Sequence, residues 1–444
     1  MTLDRRNFIK LVGGASGLAL AGCATQDGRQ QTAPAAPAVA KTTELMPKGG
    51  ARRVVVVGGG YGGTIAAKYV RMLDPSIEVI LVEKNKQFVS CPFSNFYIAG
   101  LMKDMSALTI GYDKLAANHG VKVVHAEVTQ IDAAAKKVVT SAGTLSYDRC
   151  IVSPGIDFRS EEIEGYDAKA FEAFPHAYKA GPQSALLRNQ LMAMKDGGTV
   201  IISMPLVPYR CPPGPYERAA LAAHYFKRHK PKSKVIILDD DNTMPKQSLF
   251  LESWNKLYPG MIDWVTGNNG GKMERVDIKR RMVITTDADF PADVISFVPP
   301  QKAGAIAQKT GLTDVSGWCP VDPVTLESTR HKNIHIVGDA AFTDGVPKSA
   351  HIAGAMGRTA ARAVVALLQG KTPPSPQYVN TCYTLAAPDY GFSIAGIYEP
   401  KGGVIAMVPN SVTVSPTGAP EYMRRTEAEF AYGWLRNIAA EAFL

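Results

Sequence analysis

The cysteine thiols of this chain are its side chains best suited to redox chemistry, because a thiolate is a nucleophile that exchanges with disulfides. The six are Cys23, Cys91, Cys150, Cys211, Cys319 and Cys382. They form no C-x-x-C pair, no haem-attachment motif and no Cys/His group at metal-ligand spacing, so we expect neither a metal site nor a haem on this chain. Cys211 and Cys382 lie 171 positions apart (382 − 211). Spacing alone does not pair them, and a lone cysteine is most often an ordinary buried thiol.

A glycine-rich turn near residue 60 is suited to bind the diphosphate of a dinucleotide. Four valines precede Gly58, Gly60 and Gly63, which form G-x-G-x-x-G. The valine run is typical of a strand buried on both faces. The glycines allow a tight turn, close approach of the backbone to a pyrophosphate, and close packing of helix on strand. The next apolar strand ends at Glu83, where a carboxylate accepts the hydroxyl hydrogens of a ribose.

Residues 199–239 repeat this unit with a different turn. The predicted elements are strands at 199–204 and 234–239 and a helix over 216–230. His224 and His229 lie on this helix, and we interpret both as surface residues. Where glycines should hold a second pyrophosphate, residues 205–217 contain several prolines and Cys211. Proline has no N–H donor and a fixed φ, so we expect no NAD at this loop.

Three further segments resemble parts of the disulfide-reductase-like flavoproteins. A predicted strand ending at Gly155 resembles their second flavin-binding motif, with Ser-Pro-Gly in place of the usual Ala-Thr-Gly. An apolar strand delivers Asp339 beside a glycine, where related flavoproteins bind the ribityl chain. Lys348 opens a helix predicted through residue 366, whose positive N-terminus could face the flavin pyrimidine ring. Cys150, in mid-strand, and Cys319 are interpreted as structural.

The N-terminus is typical of a twin-arginine export signal, and we expect a periplasmic protein. Arg5 and Arg6 precede an apolar run over 11–21 that is too short to span a bilayer. Leu-Ala-Gly-Cys at 20–23 also resembles a lipoprotein cleavage box. Cys23 is therefore either a lipid anchor or incidental to an ordinary cleavage, and this choice stays open.

The composition is that of an ordinary soluble globular protein, with 20% charged and 46% hydrophobic residues. The formal net charge is +9, and no basic run with interleaved aromatic residues occurs. Nucleic-acid binding is therefore not expected.

We predict an α/β fold with two Rossmann-like domains and a smaller C-terminal α+β domain. Short strands at 121–128 and 137–140 should form a meander, and an amphipathic helix over about 421–444 should pack on the protein. The predicted segments are a signal at 1–23, a flexible linker at 24–50, an FAD-binding domain at 51–163 and 303–370, an NAD-like domain at 164–302, and a C-terminal interface domain at 371–444.

Taken together, these segments resemble the flavoprotein subunit of flavocytochrome c sulfide dehydrogenase over nearly the whole exported part. The motifs that carry the resemblance are Ser-Cys-Pro-Phe-Ser-Asn at Cys91, Tyr-Arg-Cys-Pro-Pro-Gly-Pro-Tyr-Glu-Arg at Cys211, Gly-Trp-Cys-Pro-Val-Asp at Cys319, and Asn-Thr-Cys-Tyr at Cys382. The resemblance implies FAD bonded covalently to Cys91 and a redox-active disulfide between Cys211 and Cys382. It also implies electron donation to a separate cytochrome c subunit that carries the haem. Cys23 and the Ser-Pro pair before Gly155 depart from the family pattern.

The same resemblance implies a reaction. Hydrosulfide attacks one sulfur of the disulfide and leaves a persulfide on one cysteine and a thiolate on the other. The thiolate nearer the flavin, which we assign to Cys382, passes two electrons to the flavin at its C4a atom, and the flavin then reduces the partner haem in single-electron steps. Glu217, close after Cys211, either accepts a proton or stabilises a helix N-terminus.

Three other functions stay open. A sulfide:quinone oxidoreductase would need a quinone pocket and apolar helices that dip into a membrane, and the tail 435–444 is short and mixed. A non-catalytic flavoprotein partner of a periplasmic sulfur-oxidation complex would carry the same cysteines without turning over sulfide alone. An NAD-linked disulfide reductase is disfavoured by the proline loop and by the absence of C-x-x-x-x-C near the first predicted helix.

Overall fold

The computed structural model describes residues 43–444. The predictions for the signal, for Cys23 and for the linker up to residue 42 lie outside these residues. The helices of the described part are α1 (Tyr61–Leu73), α2 (Ser94–Ile98), α3 (Asp113–His119), α4 (Ala168–Ala173), α5 (Pro182–Ala193), α6 (Gly214–His229), α7 (Gln247–Leu257), α8 (Ala305–Lys309), α9 (Ala350–Leu368) and α10 (Glu421–Phe443).

The strands of the described part fall into several sheets. In chain order they are β1 (Arg53–Val57), β2 (Glu78–Val82), β3 (Gln87–Val89), β4 (Thr109–Gly111), β5 (Lys122–Val124), β6 (Val128–Asp132), β7 (Lys137–Thr140), β8 (Gly143–Ser146), β9 (Arg149–Val152), β10 (Ile156–Phe158), β11 (Thr199–Met204), β12 (Lys234–Asp239), β13 (Ile262–Val265), β14 (Met273–Asp277), β15 (Met282–Thr285), β16 (Asp289–Pro291), β17 (Val294–Phe297), β18 (Gln301–Ala303), β19 (Cys319–Pro320), β20 (Ile334–Ile336), β21 (Ala341–Phe342), β22 (Tyr378–Ala387), β23 (Tyr390–Lys401), β24 (Val404–Met407) and β25 (Thr413–Val414).

A five-stranded parallel sheet, in the order β20-β9-β1-β2-β5, supports the glycine turn. All five residues of β1 are buried, as the valine run predicts. Helices α1 and α9 follow β1 and β20 and start at the carboxyl edge of this sheet, where nucleotides bind in such folds. They cross closely, since a Cβ at Gly357 of α9 would lie 2.6 Å from the carbonyl oxygen of Gly62 in α1. Because glycine has no side chain, the two helices can pack closely here, and both of their N-termini lie at the carboxyl edge of the sheet.

A second parallel sheet, in the order β13-β12-β11-β17, contains the second predicted unit. Strands β11 and β12 have the predicted bounds. Helix α6 begins at Gly214, two residues before the predicted start. Pro213 is its N-cap and Pro215 lies in its first turn, where helix N–H groups have no intrahelical acceptor and proline is tolerated. Two such sheets confirm the predicted α/β class.

The C-terminal part is an antiparallel sheet of β22, β23 and β24, with β25 paired to β23 and with α10 packed on β22 and β23. At the end of α10, Phe443 is fully buried and its ring stacks on Phe88 at 5.1 Å between centroids. The closing helix is thus held against the protein, as predicted. None of the helices between residues 43 and 444 combines the length and the apolar character needed to cross a membrane.

The prediction that His224 is a surface residue is wrong. Its side chain is buried, and Nδ1 lies 3.1 Å from the hydroxyl of Tyr258. Burial lowers the pKa of His224 to about 4. The physical reason is that α6 packs against both β12 and β22, and 11 of its 16 residues are buried. His229, at the end of the helix, is exposed as predicted.

Two further boundaries differ from the predictions. The expected single strand at 121–128 is divided between β5, which joins the parallel sheet, and β6, which joins the meander with β7 and β8. The end of the predicted flexible linker is ordered, since the carboxylate of Glu44 binds the buried guanidinium of Arg53 at 3.2 Å and accepts from the backbone N–H of Ser146 at 2.9 Å. A buried guanidinium needs such acceptors, and this segment supplies them.

Candidate active site

The glycine turn between β1 and α1 forms a cradle that fits a dinucleotide diphosphate. Gly58 has φ +100°, and a Cβ there would lie 2.2 Å from the carbonyl oxygen of Ser153. A Cβ at Gly63 would lie 1.9 Å from the carbonyl oxygen of Gly58. At Gly60 the nearest atom to such a Cβ is on Phe88, at 3.7 Å, so this side of the turn is open. Helix α1 begins without a side-chain cap, which leaves its first N–H groups available to an anion.

Glu83 follows β2 directly and lies against the same turn. Its Oε2 accepts from the backbone N–H of Gly59 at 2.9 Å, and its Oε1 accepts from the backbone N–H and the side-chain amide of Asn85 at 2.9 and 2.8 Å. These donors fix the carboxylate beside the diphosphate cradle. Oε2 keeps a further lone pair for a ribose hydroxyl, whereas both lone pairs of Oε1 are used.

The second motif, after β9, also closes on this edge. Gly155 has φ +65°, in the left-handed region that favours glycine, and its carbonyl oxygen accepts from the N–H of Gly304 at 2.9 Å. A Cβ at Gly155 would lie 3.0 Å from Nη2 of Arg210. Arg210 is an important residue that the sequence analysis missed, since its Nε donates to Oδ2 of Asp339 at 2.7 Å. Arg210 thus links the proline loop, residues 205–217, to Asp339, the residue predicted to lie near the ribityl chain.

Asp339 and Lys348 were predicted to contact the cofactor, and both side chains have protein partners. Asp339 pairs with Arg210, and the ammonium of Lys348 donates to the carbonyl oxygens of Asp339 and Ala341 at 2.7 and 2.9 Å. It also lies 3.8 Å from the ring centroid of Trp318. Burial lowers the pKa of Lys348 to about 8, against the opposing effect of Asp339. Lys348 therefore holds the backbone between β20 and α9.

Cys91 lies between β3 and α2 and is half-buried. Its thiol is 3.8 Å from the carbonyl oxygen of Tyr178, which also accepts from Nη1 of Arg210 at 2.9 Å. Cys91 is close enough to Cys211 to raise the pKa of that thiol. The predicted tether thus belongs to the same cluster as the predicted redox cysteine.

Cys211 and Cys382 are free thiols, and both of their segments contact the residues at the start of α9. The N–H of Cys211 donates to the carbonyl oxygen of Lys348 at 2.8 Å. On the other side, the hydroxyl of Ser349 donates to Oδ1 of Asn380 at 2.7 Å, and the N–H of Thr381 donates to Nδ1 of His351 at 2.8 Å. Three residues at one helix start, Lys348, Ser349 and His351, are therefore hydrogen-bonded to the two cysteine segments.

The electrostatic environment of Cys211 disfavours its thiolate. Burial, followed by the neighbouring Cys382, Glu217 and Cys91, raises the pKa of the Cys211 thiol well above its usual range, and Lys246 acts in the opposite direction. The N–H of Leu385, three residues after Cys382, donates to Glu217, six residues after Cys211, so the two cysteine segments are neighbours. Cys150 and Cys319 are fully buried, as their structural interpretation requires.

Glu217 lies in the first turn of α6 and bridges the two cysteine segments. Its Oε1 accepts from the N–H of Leu385 on β22 at 3.0 Å, and its Oε2 accepts from Nδ2 of Asn95 at 2.8 Å. Burial raises the pKa of the Glu217 carboxyl, so it binds a proton more readily than an exposed glutamate. Both interpretations, proton acceptor and helix stabiliser, agree with its position.

The proline loop ends at α6 beside Asp239, the acid at the end of β12. The carboxylate of Asp239 is fully buried and accepts from the hydroxyl of Tyr216 at 2.6 Å and from Nε1 of Trp264 at 2.9 Å. In the first unit the corresponding acid, Glu83, faces the glycine turn. In the second unit the corresponding acid, Asp239, accepts hydrogen bonds from protein side chains instead.

Lys246, at the start of α7, was also missed by sequence reasoning. Its Nζ lies 3.6 Å from Sγ of Cys382. A lone lysine after a proline gives no signal of such a contact. The partner lies 136 positions away in the chain.

Comparison with known proteins gives three matching family models. The model described as the central part of the sulfide dehydrogenase (flavocytochrome c) flavoprotein chain matches residues 184–299. The model of the flavin-binding part of flavocytochrome c sulphide dehydrogenase matches residues 374–443. The pyridine nucleotide-disulphide oxidoreductase model matches residues 52–191.

Among similar proteins, the sulfide dehydrogenase (flavocytochrome c) flavoprotein chain of Chlorobaculum thiosulfatiphilum is 67% identical over 46 residues, which are 10% of this chain and 96% of that sequence. The mitochondrial sulfide:quinone oxidoreductase of Mus musculus is 22% identical over 64% of this chain, and the chain covers 65% of its length. The solved structure of the sulfide:quinone oxidoreductase of Aquifex aeolicus has a TM-score of 0.67 at 18% identity, over 88% of this chain and 92% of that one. The last likeness establishes the fold alone.

Proposed function

We propose a sulfide dehydrogenase reaction for this chain, which belongs to the family of flavocytochrome c sulfide dehydrogenase flavoprotein chains. The chain is a flavoprotein oxidoreductase, and FAD is its cofactor. In the proposed reaction a disulfide between Cys211 and Cys382 oxidises hydrosulfide to sulfur or polysulfide. Electrons leave through FAD to a cytochrome c subunit that carries the haem. The observation that supports this most strongly is that both cysteine segments are bonded to the start of α9, beside Glu217.

The first proposed step is exchange at the disulfide. HS⁻ forms a bond to one sulfur, the bond between Cys211 and Cys382 breaks, and its electron pair stays on the other sulfur as a thiolate. The substrate sulfur is oxidised and the disulfide is reduced, so that a persulfide and a thiolate are the products. The raised pKa of Glu217 suits it to take the persulfide proton.

A second HS⁻ then attacks the outer sulfur of the persulfide and releases HSS⁻, which leaves both cysteines reduced. When bound, FAD supplies the two-electron acceptor that restores the disulfide and can deliver electrons singly to a haem. The cradle at Gly58, Gly60 and Gly63 with Glu83 would hold its adenosine diphosphate part. Gly155, Asp339 and the N-terminus of α9 would line the rest of the cofactor.

Cys91 is the proposed covalent attachment point of FAD. Its thiol and Arg210, the neighbour of Cys211, both contact the carbonyl oxygen of Tyr178. This supports the proposal, because a tether at Cys91 would keep the flavin beside the redox pair. The twin arginines Arg5 and Arg6 support export to the periplasm, where a covalent bond prevents loss of the cofactor. A lipid anchor at Cys23 is the alternative to a free periplasmic protein.

An anaerobic titration with sulfide tests the proposal. The flavin spectrum of the purified protein is followed with and without cytochrome c, in the wild type and in Cys211→Ser, Cys382→Ser and the matched buried control Cys150→Ala. We expect sulfide to bleach the wild type and the control and to reduce cytochrome c catalytically, and both serine variants to lose this. An oxidised flavin in the presence of sulfide would contradict the catalytic assignment and would favour the non-catalytic partner.

A sulfide:quinone oxidoreductase is the second candidate, favoured by the similarity to the mouse enzyme. The protein reduced by sulfide in this titration can be used to distinguish the quinone reaction from the cytochrome c reaction. Reoxidation by a water-soluble quinone that is at least as fast as reoxidation by cytochrome c would favour the quinone reaction.

A further inference from the structure

Lys246 has a backbone and a burial that are unusual for lysine. It is the N-cap of α7, with φ +61° and 7% of its surface exposed. A left-handed backbone costs a residue with a Cβ about 1 to 2 kcal/mol, and a buried ammonium needs polar partners. Residues held in this way often have a functional role, which has to be sought in their contacts.

The ammonium of Lys246 is directed at the strand that carries Cys382. It donates to Oγ1 of Thr384 at 2.5 Å, to the carbonyl oxygen of Cys382 at 3.1 Å and to Sγ of Cys382 at 3.6 Å. The ring of Phe392 lies 5.6 Å away and covers the site. In the described part of the chain, no carboxylate lies within ion-pair distance of Lys246. Glu217 interacts with Lys246 from beyond that distance, so the group in contact with the ammonium that can become an anion is the thiol of Cys382.

The two sulfurs of the proposed disulfide have opposite surroundings. Both are half-buried. Cys382 contacts the ammonium of Lys246, whereas Cys211 lies near Glu217 and Cys91, which disfavour a negative charge there more than Lys246 favours it. In disulfide exchange, the sulfur that is better stabilised as an anion leaves faster. The cleavage is therefore asymmetric.

We propose that Lys246 is a positioning residue which stabilises Cys382 as the leaving thiolate and so directs hydrosulfide to Cys211. The inference rests on the proposed function and assigns the two cysteines different roles within it. HS⁻ forms the new S–S bond at Cys211, the Cys211–Cys382 bond breaks, and its electron pair passes to the sulfur beside Lys246. The persulfide forms on Cys211, within reach of Glu217 as proton acceptor.

The other charged groups near the pair have different partners from Lys246. Arg210 and Arg218 lie near Cys211, but the guanidinium of Arg210 is paired with Asp339 and that of Arg218 donates to oxygen acceptors of the protein. Glu217 from α6 and Cys91 from the loop before α2 contribute negative charge when ionised. His351 from α9 is a weak cation source, because burial lowers its pKa. Tyr178, from the loop before α5, stays neutral, because burial raises its pKa far above neutrality.

The test is alkylation of the reduced holoenzyme with iodoacetamide at pH 7, quenched at short times and mapped by peptide mass spectrometry. In the wild type we expect Cys382 to react at least about tenfold faster than Cys211, since burial and neighbouring groups raise the pKa of the Cys211 thiol well above its usual range, whereas Cys382 contacts the ammonium of Lys246. Lys246→Met should lower the rate at Cys382 about tenfold and the rate at Cys211 by less, since Lys246 contacts Sγ of Cys382 and is only one of several groups that act on Cys211. Lys246→Arg should restore part of the rate at Cys382. Lys230→Met is the matched control, because Lys230 is also buried and its ammonium donates to backbone carbonyls of residues 191 to 194.

Faster labelling of Cys211 in the wild type would overturn the inference, and this measurement does not depend on folding of any variant. An unchanged Cys382 rate in Lys246→Met would overturn it too. A single-turnover reaction with hydrosulfide, trapped by alkylation, should place the persulfide on Cys211, and a persulfide on Cys382 would refute the direction of attack. If sulfide fails to react with the wild type, the proposed function fails, whereas the labelling rates still decide the role of Lys246.

Discussion

The structure gives the second and third glycines of the G-x-G-x-x-G turn different roles, which the variants Gly60→Ala and Gly63→Ala separate. A Cβ at Gly63 would lie 1.9 Å from the carbonyl oxygen of Gly58 and 3.3 Å from Cβ of Ser153. An ordinary contact begins near 3.4 Å, so α1 would have to move by about 1.5 Å (3.4 − 1.9) away from β1. Because the clash is with backbone and not with a flexible side chain, we expect Gly63→Ala to destabilise the fold by about 3 kcal/mol.

Gly60→Ala meets no such obstacle. Its φ is −80°, which any residue adopts, and the new Cβ would be 3.7 Å from Phe88. We expect a change in the free energy of unfolding of at most about 1 kcal/mol, because alanine is a poorer N-cap than glycine. The methyl group would, however, occupy the side of the turn that is open to a pyrophosphate. Flavin content should therefore fall by roughly tenfold while the fold remains.

The assay combines urea unfolding, followed by circular dichroism, with the flavin-to-protein absorbance ratio of the purified variants. The expected pattern is a folded protein poor in flavin for Gly60→Ala and an unstable protein for Gly63→Ala. Full flavin content in Gly60→Ala would refute the placement of the diphosphate. Equal losses of stability in both variants would refute the steric argument.

Three other predictions concern single side chains. Acid precipitation should leave the flavin with the wild-type polypeptide and release it in Cys91→Ser, and release from the wild type would contradict the covalent tether. The pKa of Lys348 is about 8 in the folded protein and about 10.4 in the unfolded chain. The stability that the neutral Lys348 side chain contributes is therefore fully present above pH 10.4 and is lost as the pH falls through 8. The stability of the wild type relative to Lys348→Met should therefore rise by up to about 3 kcal/mol between pH 8 and pH 10.4 in urea unfolding, and a flat difference would contradict this. The folded pKa of His224 is about 4, against about 6.5 in the unfolded chain. As the pH falls from 6.5 to 4, the free energy of unfolding of the wild type should therefore drop by up to about 3 kcal/mol relative to that of His224→Phe. Equal acid sensitivity of the two proteins would show that His224 is solvated.

Much of the frame could be predicted because its signals are local. The valine run of β1 and the apolar runs of β11 and β12 are bounded by glycine, proline or acidic residues within a few positions, and both faces of these strands are buried. The glycine spacing likewise encodes one turn. These features depend on neighbours in sequence, and the structure places them at the predicted positions.

Features that depend on distant packing could not be predicted in this way. His224 has the neighbours of a surface residue, but the burial of α6 depends on β22, more than 150 positions later. Asn95 donates to Glu217 across 122 positions. No periodicity links such residues. The family resemblance indicated which cysteines are functional. It did not indicate Lys246 or Arg210, whose roles follow from their contacts in the structure.

The start of α9 is where structural and chemical roles are hardest to separate. The hydroxyl of Ser349 accepts from the N–H of Ile352 as the helix cap and donates to Asn380, two residues before Cys382. A substitution at Ser349 would therefore alter the helix end and the position of Cys382 together, and lost activity would not show which change caused it. Lys246 reaches the same strand from α7 without capping α9, and its conservative variants keep the side-chain volume nearly constant. The charge beside Cys382 can for this reason be removed while both cysteine segments stay bonded to the helix start.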